Sequence, residues 1–260
     1  MANGTNKTSQ ISTAEMKMLG PELSFEAAEA YKMLRTNILF SMTTEEKCHI
    51  IGITSTFKGE GKSISSINLA YTFAEAKNRV LLIESDMRMP SLAGRLNLKT
   101  KPGLSNLMFE RLPIGDVIQR KTFLKQDRNL NLNITFDVLT AGSIPPNPSE
   151  LIQSLRMQKL LATLTEFYDI IILDLPPVTM VTDAIIASNY ITGMVVVVRN
   201  EVASKRGLSD VMRQFKQANA RVLGFLFTSA VVTKRRSYGK YGKYGKRGYY
   251  KGYYRGYYRT

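Results

Sequence analysis

Apolar residues Phe25, Ala28, Tyr31, Leu34 and Ile38 recur every three or four positions, which predicts an amphipathic helix opening near Leu23 with Ser24 as N-cap. The period then changes. HIIGITS, His49–Ser55, is a short continuous apolar run and predicts a buried strand, followed by a helix over residues 63–76. RVLLIES (79–85) and FDVLT (136–140) predict two more strands, the second running into the loop AGSIPPNP. Residues 149–167 predict one long helix capped by Ser149. YDIIILDL, GMVVVVR and RVLGFLFT predict three further strands, with a helix over roughly 205–218. Continuous apolar strands separated by amphipathic helices imply a parallel sheet covered on both faces. The expected fold class is therefore α/β.

Composition changes the picture at the two ends. A chain of 260 residues, 44% hydrophobic, suits one large α/β domain plus a tail. Residues 1–22 are polar, hold no apolar run of signal-peptide type and are expected to be loose. The division is thus expected at 1–22, 23–232 and 233–260. No apolar run approaches the length of a membrane span. The lone Cys48 cannot form an internal disulfide, which fits a reducing cytoplasm. Net charge is +15, yet residues 233–260 hold ten basic residues and no acid, so the body carries only +5. That tail has no apolar stripe to pack, which predicts disorder. Nine of the thirteen tyrosines crowd into it: Tyr238, Tyr241, Tyr244, Tyr249, Tyr250, Tyr253, Tyr254, Tyr257 and Tyr258.

Candidate chemistry sits where strands end. TSTFKGEGKS, between the first strand and the next helix, carries Gly61-Lys62-Ser63, the core of a phosphate-binding loop. Its backbone N–H groups, Gly59, Glu60, Gly61, Lys62, Ser63 and Ile64, are the candidates to hold nucleotide phosphates. Lys62 reaches toward the β- and γ-phosphates, and Ser63 offers a hydroxyl to Mg²⁺. A strict motif wants glycine at 56, where Thr56 stands. LLIESDMR and IIILDLPPV each place carboxylates at a strand's C-terminal end, where ligands bind in such sheets. Asp174 has the form of a Mg²⁺-holding aspartate, with Asp86 and Ser63 as further metal candidates. Glu84 and Asp86, two apart on a strand, should face one side. Either could orient a hydroxyl nucleophile or accept its proton. Arg88 either steadies its loop or touches phosphate. Asp183 is either a neighbour of the metal site or a helix cap.

Together with EAYKMLRTN (29–37), these motifs resemble the bacterial tyrosine kinases of capsule and exopolysaccharide synthesis, across roughly residues 20–260. The resemblance implies a P-loop NTPase-like fold and transfer of phosphate from Mg·ATP to tyrosine, with Lys62, Glu84 and Asp86 as catalytic residues. It implies subunits joined in a ring through Glu29, Lys32 and Arg35. It further implies a membrane-anchored activator (a polysaccharide co-polymerase) with a cytoplasmic tail, a cognate tyrosine phosphatase, and recruitment to the inner face of the cell membrane. No nucleic-acid partner is expected. Three positions depart from the family pattern: Lys32 replaces an arginine, Glu84 an aspartate, and LFT (226–228) an ending in asparagine. The related ATPases of septum placement and partition carry an early lysine in the loop, where this chain has Phe57.

The tail fits this reading as substrate. Each phosphotyrosine adds roughly −1.5 to −2 charge, so nine would reverse the sign of the tail. A flexible segment of this length spans roughly 25–30 Å, enough to reach a neighbouring subunit in trans. Two other classes stand beside it. One is a switch ATPase without tyrosine transfer. The other is a polyanion-binding protein whose basic, aromatic tail stacks on bases or meets anionic surfaces.

Overall fold

The computed structural model describes residues 18–42, 46–127, 130–200 and 202–229. The chain divides into two compact units after Ala230. The second unit, with all nine tail tyrosines, lies outside the described residues.

The first unit begins with a short 3-10 turn, Gly20–Glu22, then α1 (Phe25–Ser41), β1 (His49–Ser55), α2 (Lys62–Glu75) and β2 (Val80–Glu84). Three short helices follow: α3 (Leu92–Leu96), α4 (Leu104–Phe109) and α5 (Ile114–Val117). Next come β3 (Gln119–Asp127), β4 (Leu130–Leu139), α6 (Pro148–Gln153), α7 (Leu155–Leu164) and β5 (Ile170–Asp174). The unit closes with α8 (Asp183–Ala187), β6 (Gly193–Arg199), α9 (Lys205–Gln217) and β7 (Val222–Thr228). The strands form one sheet in the order β3-β4-β2-β5-β1-β6-β7. All pairings are parallel except β3 with β4.

The expected doubly covered sheet is present, and side chains alternate between two cores. Leu81, Ile83, Ile171, Leu173, Val196 and Val198 face the core beneath α4–α9. Leu82, Ile172, Ile51, Ile53, Val195 and Val197 face the core beneath α1 and α2. The central strands are buried on both sides, which is why they read as unbroken apolar runs.

Three expectations needed correction. The strand expected at 136–140 starts at Leu130, and the antiparallel β3 before it was not foreseen. Its inward positions carry Lys121, Phe123 and Lys125, so charge hides the alternation. Phe123 stacks on Phe136 at 5.9 Å, while the two lysines bond the Leu96 carbonyl and Glu75. The helix expected over 149–167 is two helices. Ser154 adopts an extended backbone and its Oγ accepts from Met157 N, so it starts α7 as a cap and ends α6. Last, the segment expected to be loose through residue 22 is docked from Met18 onward. Asn68 of α2 accepts from Gly20 N and donates to the Met18 carbonyl, both at 2.8 Å, and Leu19 is buried. Among the described residues, no helix is long and apolar enough to cross a membrane.

Candidate active site

The loop between β1 and α2 curls because two of its residues have no Cβ to obstruct it. Gly59 and Gly61 adopt φ of +87° and +91°, a region that L side chains rarely enter. Gly61 is the N-cap of α2, so the helix presents its free N–H groups and positive dipole end to the loop. Thr56 is not among the positive-φ residues, so a threonine there costs no backbone strain where a strict motif would have glycine. Glu60 works inside the loop rather than toward a ligand. Its carboxylate accepts from Phe57 N at 2.7 Å and Arg199 N at 3.3 Å, and its carbonyl accepts from the Thr228 hydroxyl. The Phe57 ring lies against α9 at Gly207, where an added Cβ would meet it at 2.7 Å. An apolar contact with the body therefore occupies the place of the partition-type lysine.

Lys62 Nζ sits 2.9 Å from Asp86 Oδ2, 3.5 Å from Asp174 Oδ1 and 3.4 Å from Ser63 Oγ. Burial works against its charge, yet Asp174 and Asp86 hold its pKa above the ordinary lysine value. The backbone sets this meeting. Asp174 ends β5 beside Glu84 in parallel register, and its carbonyl accepts from both Ser85 N and Asp86 N at 2.9 Å. Asp174 Oδ1 also accepts from the Ser66 hydroxyl, while Oδ2 is buried with no hydrogen-bond partner. Two buried carboxylates face one ammonium, leaving an excess negative charge in a low-dielectric place.

Asp86 and Glu84 do not share a side, because β2 ends at Glu84 and strand alternation stops there. Asp86 lines the cleft above the loop. Glu84 is turned into the protein, where its carboxylate accepts from the backbone N–H of Ser91, Leu92 and Ala141. Burial pushes its pKa up, and those three donors oppose the shift. Among the described residues no three acids, histidines or cysteines group closely enough to hold a metal by themselves. Mg²⁺ in nucleotide sites is commonly bound by one or two carboxylates plus phosphate oxygens. Asp86, Asp174 and the Ser63 hydroxyl, with their unsatisfied oxygen and surplus negative charge, fit that pattern.

The cleft has a volume of about 600 Å³, within the range of small-molecule sites. Of the candidate site residues, Gly59, Gly61, Lys62, Ser63, Ile64 and Asp86 line it, while Glu60, Glu84 and Asp174 are not among its lining residues. The sequence reading missed Arg199, Lys58, Met89, Met180 and Met18, which line it too. Arg199 was discoverable, since it ends GMVVVVR at the same edge of the sheet as the acids. Arg88 also lines the cleft and pairs with Ser149 and Asp183. Glu29, Lys32 and Arg35 lie apart from the cleft on α1. Lys32 bonds Glu29 at 2.8 Å within the helix, and Arg35 donates to the Thr72 carbonyl of α2.

A family model described as an AAA domain matches residues 48–225. The tyrosine-protein kinase YwqD of Bacillus subtilis is 32% identical over 82% of this chain and 85% of its own length. The chain belongs to the tyrosine-protein kinase family. The kinase also superposes on the solved structure of the chimerical protein CapA2B2 with a TM-score of 0.71 and 32% identity, covering 83% of this chain and 90% of that one. The kinase domain of Escherichia coli tyrosine kinase ETK gives 0.70 and 30%, covering 84% and 80%. The cell division ATPase MinD of Pyrococcus furiosus reaches only 21% identity at a TM-score of 0.53, with coverage of 69% and 71%, and shares the fold alone. These comparisons favour the kinase over the switch ATPase.

Proposed function

We propose that this kinase moves the γ-phosphoryl group of ATP to tyrosine hydroxyls of its own C-terminal cluster, in trans, and thereby regulates capsular or exopolysaccharide synthesis and export. The observation that carries the reading is the buried Lys62–Asp86–Asp174 cluster beside the phosphate loop, in a chain whose relatives are tyrosine kinases. The N–H groups of Gly59 to Ile64 cradle the phosphates, and Lys62 leaves its carboxylates to meet the transferred group. Ser63, Asp86 and Asp174 hold Mg²⁺, which when bound neutralises phosphate charge during transfer. The tyrosine oxygen forms a bond to the γ-phosphorus as the bond to the β,γ-bridging oxygen breaks, and ADP departs with that oxygen. The phenol proton, with an ordinary pKa of about 10, passes to Asp86, whose place on the cleft wall supports this role. Glu84 holds the 85–92 loop in shape instead.

The four tyrosines of the body are poor acceptors by comparison. Tyr31 and Tyr71 are buried and Tyr168 and Tyr190 partly so, and burial raises every one of their pKa values. The reading includes a ring of subunits, joined through Glu29, Lys32 and Arg35. Phe25, Met33 and Phe40, spaced eight and seven apart on α1, are exposed and give that helix an apolar face to offer. It also includes a membrane-anchored activator with a cytoplasmic tail, a cognate phosphatase, and a place at the inner face of the membrane.

The test is incubation of the full chain with Mg·ATP, with and without a candidate activator tail, read by intact mass and peptide mapping. Several phosphate additions confined to Tyr238–Tyr258, lost in Lys62→Met, are expected. ATP turnover with an unmodified tail in the presence of activator would replace this reading with the switch ATPase.

A further inference from the structure

Asp183, the first residue of α8, is completely buried. Two distant segments bring it partners. Its Oδ1 accepts from the Ser149 hydroxyl of α6 at 2.5 Å. Its Oδ2 has no hydrogen-bond partner and lies 3.7 Å from Nε of Arg88, an ion-pair distance too long for a hydrogen bond. Arg88 Nη2 in turn donates to the same Ser149 Oγ at 2.8 Å. Carboxylate, hydroxyl and guanidinium thus close a triangle.

A buried carboxylate needs a counter-charge, and a purely structural one would be drawn in with it. Arg88 is instead 39% exposed and lines the phosphate cleft. A guanidinium has five N–H donors in a rigid fork, and Ser149 takes one of them. This is a long cationic side chain ordered in advance at the wall of a site meant for phosphate. Its planar fork suits bidentate contact with a phosphoryl group in a way that an ammonium does not. Ordering before the substrate arrives removes a cost that a free arginine would meet at the transition state.

We propose that Arg88 is a catalytic residue that contacts the phosphoryl group in transfer, and that Ser149 and Asp183 are the positioning residues that aim it. The proposal rests on the kinase reading and adds a second cation to Lys62, delivered from the loop after β2. Arg88 forms no covalent bond and exchanges no proton, so the transfer step is unchanged.

The experiment measures tail phosphorylation by the full chain with activator tail and Mg·ATP, comparing wild type, Arg88→Ala, Arg88→Lys, Ser149→Ala, Asp183→Asn and the double variant Ser149→Ala/Arg88→Ala. Removing a single preorganised donor in other enzymes costs about 10²–10³-fold in rate, so Arg88→Ala should slow kcat about 10²-fold. Arg88→Lys should recover no more than about a tenth of the wild-type rate, because the fork is lost. Ser149→Ala should slow transfer about tenfold in the wild-type background, yet change the Arg88→Ala rate less than about twofold, since nothing remains to be aimed. Asp183→Asn should match Ser149→Ala. If Asp183→Asn fails to fold, Ser149→Ala decides. The proposal is overturned if Arg88→Ala or Arg88→Lys transfers at the wild-type rate. It is overturned equally if Ser149→Ala has no effect, or keeps its full effect in the Arg88→Ala background. A wild type that turns over ATP but never phosphorylates the tail defeats the kinase reading instead, and is seen before any variant is compared.

Discussion

The two ends of the same central strands treat charge in opposite ways. Just ahead of β2 and β5, Arg79 and Asp169 form an ion pair at 2.6 Å in which both side chains reach solvent. At the far ends of those strands, Glu84, Asp86 and Asp174 are buried, with Lys62 as the ammonium among them. Exposed pairs of the first kind contribute little, because water already serves both partners. Buried charge of the second kind costs desolvation that the protein does not fully recover by itself. Buried charge of this kind, in a cleft beside a phosphate loop, makes sense when a ligand completes the charge balance.

The two ends should differ most at Asp174. Asp174→Asn removes part of the surplus negative charge, so the nucleotide-free protein should gain about 1 kcal/mol in urea unfolding while tail phosphorylation falls about 10²-fold or more. Loss of stability together with activity would show that the carboxylate is a structural fixture. Glu84 comes next. Glu84→Ala strands three backbone N–H donors, two of them buried, and a cost of about 3 kcal/mol is expected, with Glu84→Gln milder. A near-neutral Glu84→Ala would place the buried acid with the dispensable group instead. The smallest effect belongs to the amino ends. Hydrogen bonding from Arg79 holds the Asp169 pKa below the ordinary aspartate value. A depressed acid stabilises above its unfolded pKa and loses that contribution as pH falls through its folded one. Asp169→Asn should therefore lower the neutral melting temperature only slightly, a difference that closes as pH falls below about 4. A large drop at neutral pH would contradict the contrast between the two ends.

Much of this was legible in the chain. The apolar runs of β1, β5 and β6 and the loop glycines announce themselves, because burial on both faces and positive φ each admit few residue types. The hairpin of β3 and β4 was hidden by lysines at its inward positions, which bury their stems and bond the Leu96 carbonyl and Glu75. The break at Ser154 was hidden because serine is tolerated inside a helix as well as at its cap. Arg199 was passed over although it obeys the same strand-end rule as the acids.

Which chemistry is available can be read from the residues in order: a phosphate loop with its lysine, acids at strand ends, and tyrosines gathered in a basic tail. These depend on local backbone geometry and residue type, and both are written in a few adjacent positions. What each acid does depends on the folded arrangement. Glu84 and Asp86 are two residues apart, yet one serves N–H groups as far as 57 residues along the chain and the other faces the cleft. Asp183 and Arg88 became partners through Ser149, which is 34 and 61 residues from them. A carboxylate's role follows from the donors and charges within a few ångströms of it, and folding brings those from segments that sequence spacing does not connect.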